Sequence, residues 1–286
     1  MISPYFLQTE NLINIVRQMA IIGIVSIGMT FVILTAGIDL SVGAVIAVVA
    51  VVCADMLQSG VPQPVVIVAG LLLGGMLGGV NGVGIAKGKV PAFIMTLGMM
   101  VAGRGIAMTI SEGKPVPLGD AGESFYWLGG GDVFGIPVPV VIFAAVIVLA
   151  FLLLKFTAFG RAVYAVGDNP EAARLSGIHN GWVIFNVYVI SGVLSGLTAL
   201  IFISRLTVGE PTAGTGFELD AIAMVVIGGT SLFGGEGGIR GTIIGTAIVV
   251  VIANILNLLG VTPFTQQIVK GLIIVLAVLL ERRRRA

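Results

Sequence analysis

The sequence predicts an all-α fold, a polytopic bundle of transmembrane helices, and three observations support that prediction. Of the 286 residues, 57% are hydrophobic and only 10% are charged, whereas soluble globular chains carry roughly 25% charged residues. The mean hydropathy is +1.12. The 42 glycines lie among Ile, Val and Leu, as expected where small residues let helices approach closely in lipid. A soluble protein of this composition would have too little polar surface.

About nine segments are apolar enough to be spans, because a bilayer core about 30 Å thick requires about 20 helical residues. The predicted spans are 13–36, 41–57, 64–86, 92–110, 138–155, 183–204, 219–233, 240–259 and 264–280. The spans 41–57 and 219–233 are short, and each follows a segment with glycine and an acidic residue. We expect these two helices to begin or break within the membrane, inside a single domain of residues 1–286.

Lysine and arginine in short loops mark the cytoplasmic side of a membrane protein. One predicted side carries Lys87, Lys89, Lys155, Arg161, Arg174, Arg240 and Arg282–Arg285, whereas the other carries Arg17, Lys114 and Arg205. We therefore expect the first side, and the C-terminus, to be cytoplasmic. An odd number of spans then places the N-terminus outside without a recognisable leader. Either a first span precedes this chain, or one predicted span is wrong.

Two segments resemble each other and predict an internal repeat. Residues Gly37–Ala44 and Gly216–Ala223 both read glycine, large apolar residue, acid and leucine before a short span. The span count gives the two segments opposite directions across the membrane, which is the signature of an inverted repeat. Transporters build their pathways where such interrupted helices meet.

Several functional classes lack support in the sequence. The net charge of +1 gives no electrostatic reason to expect a nucleic-acid partner. Cys53 is the single cysteine and is expected to be a packing residue, and His179 is the single histidine, so no metal-ligand cluster is predicted. No catalytic constellation is recognisable within the spans, and we expect a chain that is not an enzyme.

The cytoplasmic loop 156–182 contains the most informative motif. Asn169 is expected to cap a short helix that starts at Pro170 and carries Glu171 in its first turn. Gly177 is suited to a left-handed C-cap. The segment is either a simple surface connection or a helix that fits the groove of a partner protein.

The residues around that helix carry a resemblance to a family. Residues 167–178, GDNPEAARLSGI, resemble the coupling-helix segment of ABC-type permeases that import monosaccharides of the ribose, xylose, arabinose and galactose group. Residues 28–43, 90–98, 227–235 and 263–271 are similar to the same family, so the resemblance covers essentially the whole chain in order. Members of the family usually have ten spans.

The resemblance implies a bacterial inner-membrane importer of a monosaccharide, with ribose as the first candidate. It implies a pair of permease subunits in the lipid membrane, two ATPase subunits beneath them and a periplasmic sugar-binding protein. The residues implied to couple to the ATPase are Gly167, Asp168, Asn169, Pro170, Glu171, Ala172, Ala173, Arg174, Leu175 and Gly177. The chain has no G-x-x-x-x-G-K-[ST] motif, so we expect it to carry no cofactor and the partner to bind ATP.

Polar side chains within spans are candidates for the sugar pathway, because they are costly in a membrane unless they serve a purpose. The predicted pathway residues are Asp39, Ser41, Asn81, Thr96, Asn186 and Asn254. Asp39 either caps the helix that follows it or lines the pathway. Serine and threonine residues of the spans, such as Ser191 and Ser195, are mainly expected to bond to the preceding helical turn. Arg104 lies within a span and requires a partner that the sequence does not reveal.

Two matters remain open at this stage. The external segment 111–137 is either a loop with an aromatic anchor at Tyr126 and Trp127 or part of a docking surface. The alternative function is a self-contained secondary transporter or channel for a small polar solute. Such a protein would need its own coupling-ion or selectivity site, which the few acidic residues do not suggest.

Overall fold

The structure, a computed structural model, describes residues 5–262, 264–269 and 271–272 and is a bundle of α-helices. Its helices are α1 (Thr9–Leu34), α2 (Val42–Gln58), α3 (Gln63–Ala86), α4 (Ala92–Ile110), α5 (Ala121–Phe125), α6 (Val138–Phe156), α7 (Ala158–Asp168), α8 (Pro170–Leu175), α9 (Asn180–Leu206), α10 (Phe217–Ile227) and α11 (Ile239–Leu258). Within the described residues, six helices (α1, α3, α4, α6, α9 and α11) are long and apolar enough to cross a membrane. The predicted membrane bundle is thereby confirmed, whereas the count of nine spans is not.

The last predicted span, 264–280, lies largely outside the described residues. Its described part, residues 264–269 and 271–272, is helical. Lys270 and the basic run Arg282–Arg285 also fall outside the described residues, so the predicted position of the C-terminus stays a prediction.

Three helices form the interior of the bundle. Every residue of α1 from Ala20 to Leu34 is buried, and α2 and α9 are also largely buried. A helix that is apolar on all sides is expected at such a position. The helices α3, α4, α6, α10 and α11 surround these three and carry most of the exposed large apolar side chains.

Helices α3 and α9 pack closely because both present glycine at their interface. On α3 the glycines recur every fourth residue, at Gly70, Gly74, Gly78 and Gly82. A Cβ atom on Gly78 would meet the carbonyl oxygen of Tyr188, and one on Gly74 would meet that of Gly192. Backbone therefore contacts backbone, as the glycine content led us to expect.

The helix contacts follow the predicted inverted repeat. Helices α1 and α9 pack together at the centre, α3 packs on α9 as α11 packs on α1, and α2 packs on α9 as α10 packs on α1. The backbone N–H of Gly235, which lies between α10 and α11, donates to the carbonyl of Leu34 at the end of α1 (3.0 Å). Helix α9 starts directly after α8, at this same end of the bundle, so α1 and α9 run in opposite directions. We refer to this end as the α8 end.

Helix α10 is shorter than its predicted span. The span 219–233 was expected, but the helix ends at Ile227. Gly229 and Gly234 both have positive φ angles, which glycine adopts without steric cost. The following residues up to Gly238 form a turn at the α8 end, so the apolar residues Leu232 and Phe233 belong to a loop.

Helix α7 was not predicted, since residues 156–169 were interpreted as loop. Thr157 caps this helix by accepting a hydrogen bond from the Gly160 amide (3.0 Å). Val163 and Val166 are buried at a spacing of three residues, which gives the helix one apolar face. The glycines at positions 160 and 167 had obscured this pattern.

The segment 111–137, which was predicted to be external, folds into small elements at the end of the bundle opposite α8. It contains α5, a 3₁₀ turn (Tyr126–Leu128) and the strands β1 (Val116–Pro117), β2 (Asp132–Val133) and β3 (Ile136–Pro137). Strand β1 pairs with β4 (Val208–Gly209), and β2 pairs with β3, both antiparallel. Tyr126 and Trp127 are about half exposed, in keeping with an aromatic anchor.

Candidate functional site

The chain between α1 and α2 is an interrupted helix that turns back into the bundle. Ala36 has a φ of +58°, which reverses the chain after Leu34. The carbonyl of Ile38 then accepts hydrogen bonds from Thr96 Oγ1 on α4 (3.2 Å) and from the Tyr188 hydroxyl on α9 (3.3 Å). The Ile38 carbonyl has no partner within a helix, and side chains of two neighbouring helices supply its hydrogen bonds. Irregular backbone inside a membrane protein is tolerated only where its polar groups are satisfied in this way.

A buried polar cluster surrounds Asp39, whose exposed fraction is 1%. Its Oδ1 atom accepts from the Ser41 amide (2.9 Å) and from the Ser41 hydroxyl (2.6 Å). Its Oδ2 atom accepts from the Ser191 hydroxyl on α9 (2.8 Å). Asn81 on α3 donates its amide to Ser41 Oγ (2.8 Å). One carboxylate therefore joins the α1–α2 break to two long helices.

The predicted capping role accounts for only part of this geometry. Ser41 is the N-cap residue of α2, and no side chain caps the helix amides there. Asp39 Oδ1 instead accepts both of its hydrogen bonds from Ser41, in the turn before the helix, while Oδ2 accepts from Ser191 on α9. Serine hydroxyls in the spans were expected to bond to the preceding turn of their own helix. Ser195 does so by donating to the carbonyl of Ser191 (2.9 Å), whereas Ser191 donates to Asp39 instead.

The second break, between α9 and α10, enters the bundle from the opposite end. A Cβ atom on Gly209 would meet Ala50 and Ala54 of α2, whereas one on Gly214 would lie 3.0 Å from the Cα of Gly43. The break thus runs along α2 from its last third to its first turn. The N-terminal ends of α2 and α10 consequently meet inside the bundle.

Arg104 finds its partners at this second break. Its Nη1 atom donates to the carbonyl oxygens of Pro211 (2.8 Å) and Ala213 (3.0 Å). Glu218, in the first turn of α10, is its charged neighbour. Glu218 corresponds to Asp39 in the repeat, so each interrupted segment places an acidic side chain near the meeting point of α2 and α10.

Two buried polar atoms at this crossing lack a hydrogen-bond partner among the residues that the structure describes. They are Asn81 Oδ1 and Glu218 Oε2. Together with the serine and threonine hydroxyls, they form a set of neutral and acidic acceptors beside two helix N-termini. In many secondary transporters with inverted repeats, the substrate binds where interrupted helices meet in this way.

Two of the predicted pathway residues lie away from this cluster. Asn186 lies on α9 but donates to the carbonyl of Trp182 in its own helix (2.7 Å). Asn254 on α11 exchanges amide hydrogen bonds with Asn11 on α1 (2.8 and 3.1 Å). Asp39, Ser41, Asn81 and Thr96 are therefore the predicted residues that the fold brings together, whereas Asn186 bonds within its own helix and Asn254 joins α11 to α1.

A cavity of about 250 Å³ opens between α1, α9, α10 and α11. Its polar lining comes from Gln18, Arg205 and Asp220. The rings of Phe202 and Phe217 meet edge to face beside it, with centroids 6.4 Å apart. The sequence analysis did not single out this cavity, although Asp220, in the first turn of α10, belongs to the repeated segment Gly216–Ala223.

Helix α8 forms as the sequence predicted. Asn169 Oδ1 accepts from the amides of Glu171 (3.1 Å) and Ala172 (2.9 Å). Pro170 occupies the first helical position, and Gly177 has a φ of +84° just beyond the end. Ala173 is buried, whereas Leu175 is 75% exposed. An exposed leucine on a rigid, well-capped helix is a suitable contact for a partner protein.

A bidentate ion pair covers the outer face of α8. Arg174 donates from Nη2 to Glu171 Oε1 (2.6 Å) and from Nε to Oε2 (3.2 Å). The hydrogen bonds from Arg174 hold the pKa of the Glu171 carboxyl below its usual range. The pair therefore stays ionised at neutral and mildly acidic pH and is lost only as the pH falls through this lowered pKa. Because both side chains are exposed, the pair adds little to stability.

The predicted coupling residues divide between this outer face and a buried junction. Asp168, Asn169, Pro170, Glu171, Ala172, Arg174, Leu175 and Gly177 are exposed, whereas Gly167 and Ala173 are buried. A Cβ atom on Gly167 would meet the carbonyl oxygen of Leu34 and would lie 2.7 Å from the amide nitrogen of Gly235. The residues just before α8 thus touch the end of α1, immediately next to the break that carries Asp39.

Comparison with known proteins identifies the family. A family profile described as "Branched-chain amino acid transport system / permease component" matches residues 11–278. The ribose import permease protein RbsC of Haemophilus influenzae is 47% identical over 283 residues, covering 98% of this chain and 88% of that protein. RbsC of Bacillus subtilis is 46% identical over 285 residues, covering 100% and 88%. No solved structure gives a significant match.

A relative named for another sugar is also similar. The D-allose transport system permease protein AlsC of Escherichia coli is 41% identical over 285 residues, covering 98% of this chain and 86% of that protein. The profile and the relatives agree with the predicted membership of a family of sugar-importer permeases. The chain therefore belongs to this family of transport-system permeases and is the membrane permease subunit of an ABC-type importer.

Proposed function

We propose that this permease carries a monosaccharide into the cytoplasm and that the sugar is ribose. The similarity to two proteins named ribose import permease, at 46% and 47% identity over nearly the whole chain, supports this proposal most directly. A neutral sugar requires hydrogen-bonding groups rather than a counter-charge. Hydroxyl, amide and carboxylate oxygens meet at the crossing of the two interrupted helices, and Asn81 Oδ1 has no partner there among the described residues.

The α8 end of the bundle is, in this proposal, the cytoplasmic face of a bacterial inner-membrane protein. The excess of Lys and Arg on that side supports this orientation. An ATPase subunit binds α8 through Glu171, Arg174 and Leu175 and supplies the energy of transport. The chain itself is a transport subunit without catalytic activity or cofactor.

The remaining partners are a second permease copy, surrounding lipid and a periplasmic sugar-binding protein. In this proposal, two copies of the chain form the transport pathway together. The binding protein docks on the opposite end, where α5 and the β2–β3 hairpin form an ordered cap. Phe134 at the hairpin tip is fully exposed and suits such a contact.

The junction at Gly167 connects docking to the pathway. Movement of α8 displaces the adjoining end of α7, which touches Leu34 and the Gly234–Gly235 turn. The first break starts at the α8 end, directly after Leu34. The second break starts at the opposite end, but the helix α10 that follows it leads to the Gly234–Gly235 turn at the α8 end. Closure of the ATPase subunits can therefore reach Asp39 through a short run of backbone contacts.

Copurification of partners with the tagged chain tests this assignment. We expect a two-lobed ATPase to copurify in stoichiometric amount from detergent-solubilised membranes of the host. The triple variant Glu171→Ala, Arg174→Ala and Leu175→Ala should lose this partner, because it removes the ion pair and the exposed apolar contact of α8.

The matched control is the double variant Lys87→Ala and Lys89→Ala. These lysines are exposed in the turn between α3 and α4, at the same end of the bundle, and their variant should retain the ATPase. Equal retention in all three proteins would reject α8 as the docking helix, and purification of the chain alone would reject the ATPase partner.

A further inference from the structure

A basic cleft lies at the α8 end of the bundle, and its lining includes neither the polar cluster around Asp39 nor any residue of α8. Its volume is about 500 Å³. The end of α6, the outer side of α7 and the first turn of α11 form its walls, and glycine backbone at Gly228, Gly237 and Gly238 contributes to its lining. Three cationic side chains line it: Lys155, Arg161 and Arg240.

The three cations have no carboxylate partner within 4.0 Å among the residues that the structure describes, where the ion pairs are Lys114–Glu112 and Arg174–Glu171. Lys155 Nζ lies over the Phe151 and Phe156 rings, 5.3 Å from each centroid, and Arg240 lies 5.2 Å from that of Phe151. Aromatic faces thus hold two of the charges in place without neutralising them. The cleft keeps its positive charge available to an anion.

The N-terminal end of α11 adds to the positive electrostatic potential of the cleft. This helix has 20 residues, no acidic residue in its first turn and no side-chain cap at Gly238. Its first amides therefore lack intrahelical acceptors, and its dipole favours a negative group nearby. The Tyr164 hydroxyl donates to the Gly237 carbonyl (3.0 Å) and so holds the turn that precedes α11 against α7.

The cleft is placed at the boundary of the bilayer. Lys155 lies in the last turn of α6, the most apolar of the six long helices. Phe151 is four residues deeper, about 6 Å along the helix axis. The outward face of α6 is apolar and exposed, with Leu149 at 66%. A headgroup phosphate at Lys155 would thus have room for its acyl chains along α6.

We propose that this cleft binds the phosphate of an anionic membrane lipid, held by Lys155, Arg161, Arg240 and the first amides of α11. Under the proposed orientation this is a lipid of the cytoplasmic leaflet. Basic pockets between transmembrane helices on that side bind phosphate headgroups in this way. A soluble phosphate would be recognised by the same chemistry, but it would make no use of the apolar face of α6. The site is separate from α8, so its test requires neither transport nor the ATPase.

Thermal unfolding of the purified chain in detergent tests the proposal, with dioleoyl phosphatidylglycerol, dioleoyl phosphatidylcholine or inorganic phosphate added at equal concentration. Phosphatidylglycerol should raise the Tm above the value in phosphatidylcholine, and native mass spectrometry should show bound lipid. The double variant Arg161→Gln and Arg240→Gln should lose both effects. The variant Arg161→Lys and Arg240→Lys should keep most of them, because it retains the charge.

The control variant Lys87→Gln and Lys89→Gln removes equal charge from the same end of the bundle and should behave like the wild type. If inorganic phosphate alone raised the Tm as much as phosphatidylglycerol, the lipid assignment would be overturned in favour of a soluble anion. If both glutamine variants lost lipid binding equally, a general surface charge would account for the result and the cleft would not be a site.

Discussion

At the scale of single residues, Asp39 joins three parts of the bundle that would otherwise be separate. Its two oxygens accept hydrogen bonds from Ser41 and Ser191, and Asn81 reaches the same group through the Ser41 hydroxyl. All four residues are buried. Removing the carboxylate would leave a buried amide and two hydroxyls without their acceptor, which costs about 1–3 kcal/mol for each unsatisfied group.

We expect Asp39→Ala to lower the Tm of the detergent-solubilised permease by several degrees, whereas Asp39→Asn should unfold near the wild-type temperature. The asparagine retains an acceptor oxygen, and the serine hydroxyls can rotate to meet its amide. Asp55→Ala is the control, since Asp55 lies on α2, the helix that follows this break, but is exposed. Equal Tm values for Asp39→Ala and Asp55→Ala would show that the carboxylate does not hold the break in place.

Residue types alone predicted part of this site. The Gly-acid segment identified Asp39 and Ser41, and the rule that polar groups in spans are costly identified Asn81 and Thr96. The contribution of Tyr188 was not predictable, because its hydroxyl meets the Ile38 carbonyl only through the packing of α9 on the first break. Arg104 was recognised as needing a partner, but backbone carbonyls of a distant loop leave no signal in the sequence.

At the scale of elements, the α3–α9 contact depends on backbone surfaces without side chains. Gly74 and Gly78 face Gly192 and the Tyr188 carbonyl, and no room remains for a methyl group. Overpacking a site of this kind typically costs about 1–3 kcal/mol. The same two helices carry Ser191 and Asn81, which bond to Asp39 and Ser41 respectively.

We expect Gly78→Ala to lower the Tm and the yield of folded permease, measured by size-exclusion chromatography in detergent. Gly98→Ala is the matched control in a neighbouring membrane helix, because a Cβ atom at position 98 meets nothing within 4 Å. Wild-type stability of Gly78→Ala would contradict the close helix contact in the structure.

The elements also show where sequence patterns stop being informative. Long apolar segments and the caps at Asn169 and Gly177 predicted α8 and the long spans to within a few residues. The C-terminal end of α10 was predicted too late in the chain, because the apolar residues after Ile227 lie in a glycine-rich turn that is not helical. The helix α7 was missed, because its buried face consists of only a few side chains between two glycines.

At the scale of the whole molecule, the α1–α2 break and the α9–α10 break enter from opposite ends and meet in the interior. The first break starts next to the junction at Gly167, and α10 leads from the second break to the same junction. The repeat of Gly37–Ser41 and Gly216–Asp220 predicted the existence of this crossing. Its meeting point, at Gly43 and Gly214, follows from the packing of the second break along α2 and could not be read from the sequence. The junction connects the residues before α8 to the end of α1 through backbone contacts at Gly167, Leu34 and Gly235.

We expect Gly167→Ala to uncouple ATP hydrolysis from transport. The added methyl group would displace the end of α7 from the Leu34 carbonyl and from Gly235. The ATPase should still copurify and hydrolyse ATP, while sugar uptake per ATP falls about tenfold, the scale of measured coupling energies.

Gly181→Ala is the control for this variant. It lies in the first turn of α9 at the same end, where a Cβ atom would be 3.7 Å from Ala86, an ordinary contact. Unchanged uptake per ATP in Gly167→Ala would show that the junction does not transmit movement.

Uptake of labelled ribose into proteoliposomes that contain the permease with its copurified ATPase tests the central claim most directly. The vesicles are studied with and without ATP on the side of the ATPase, in the presence of the sugar-binding protein on the other side. The account predicts accumulation against a gradient only when ATP and the ATPase are both present. Vesicles that contain the permease alone and equilibrate ribose without ATP would contradict it, and the chain would then be a self-contained transporter or channel.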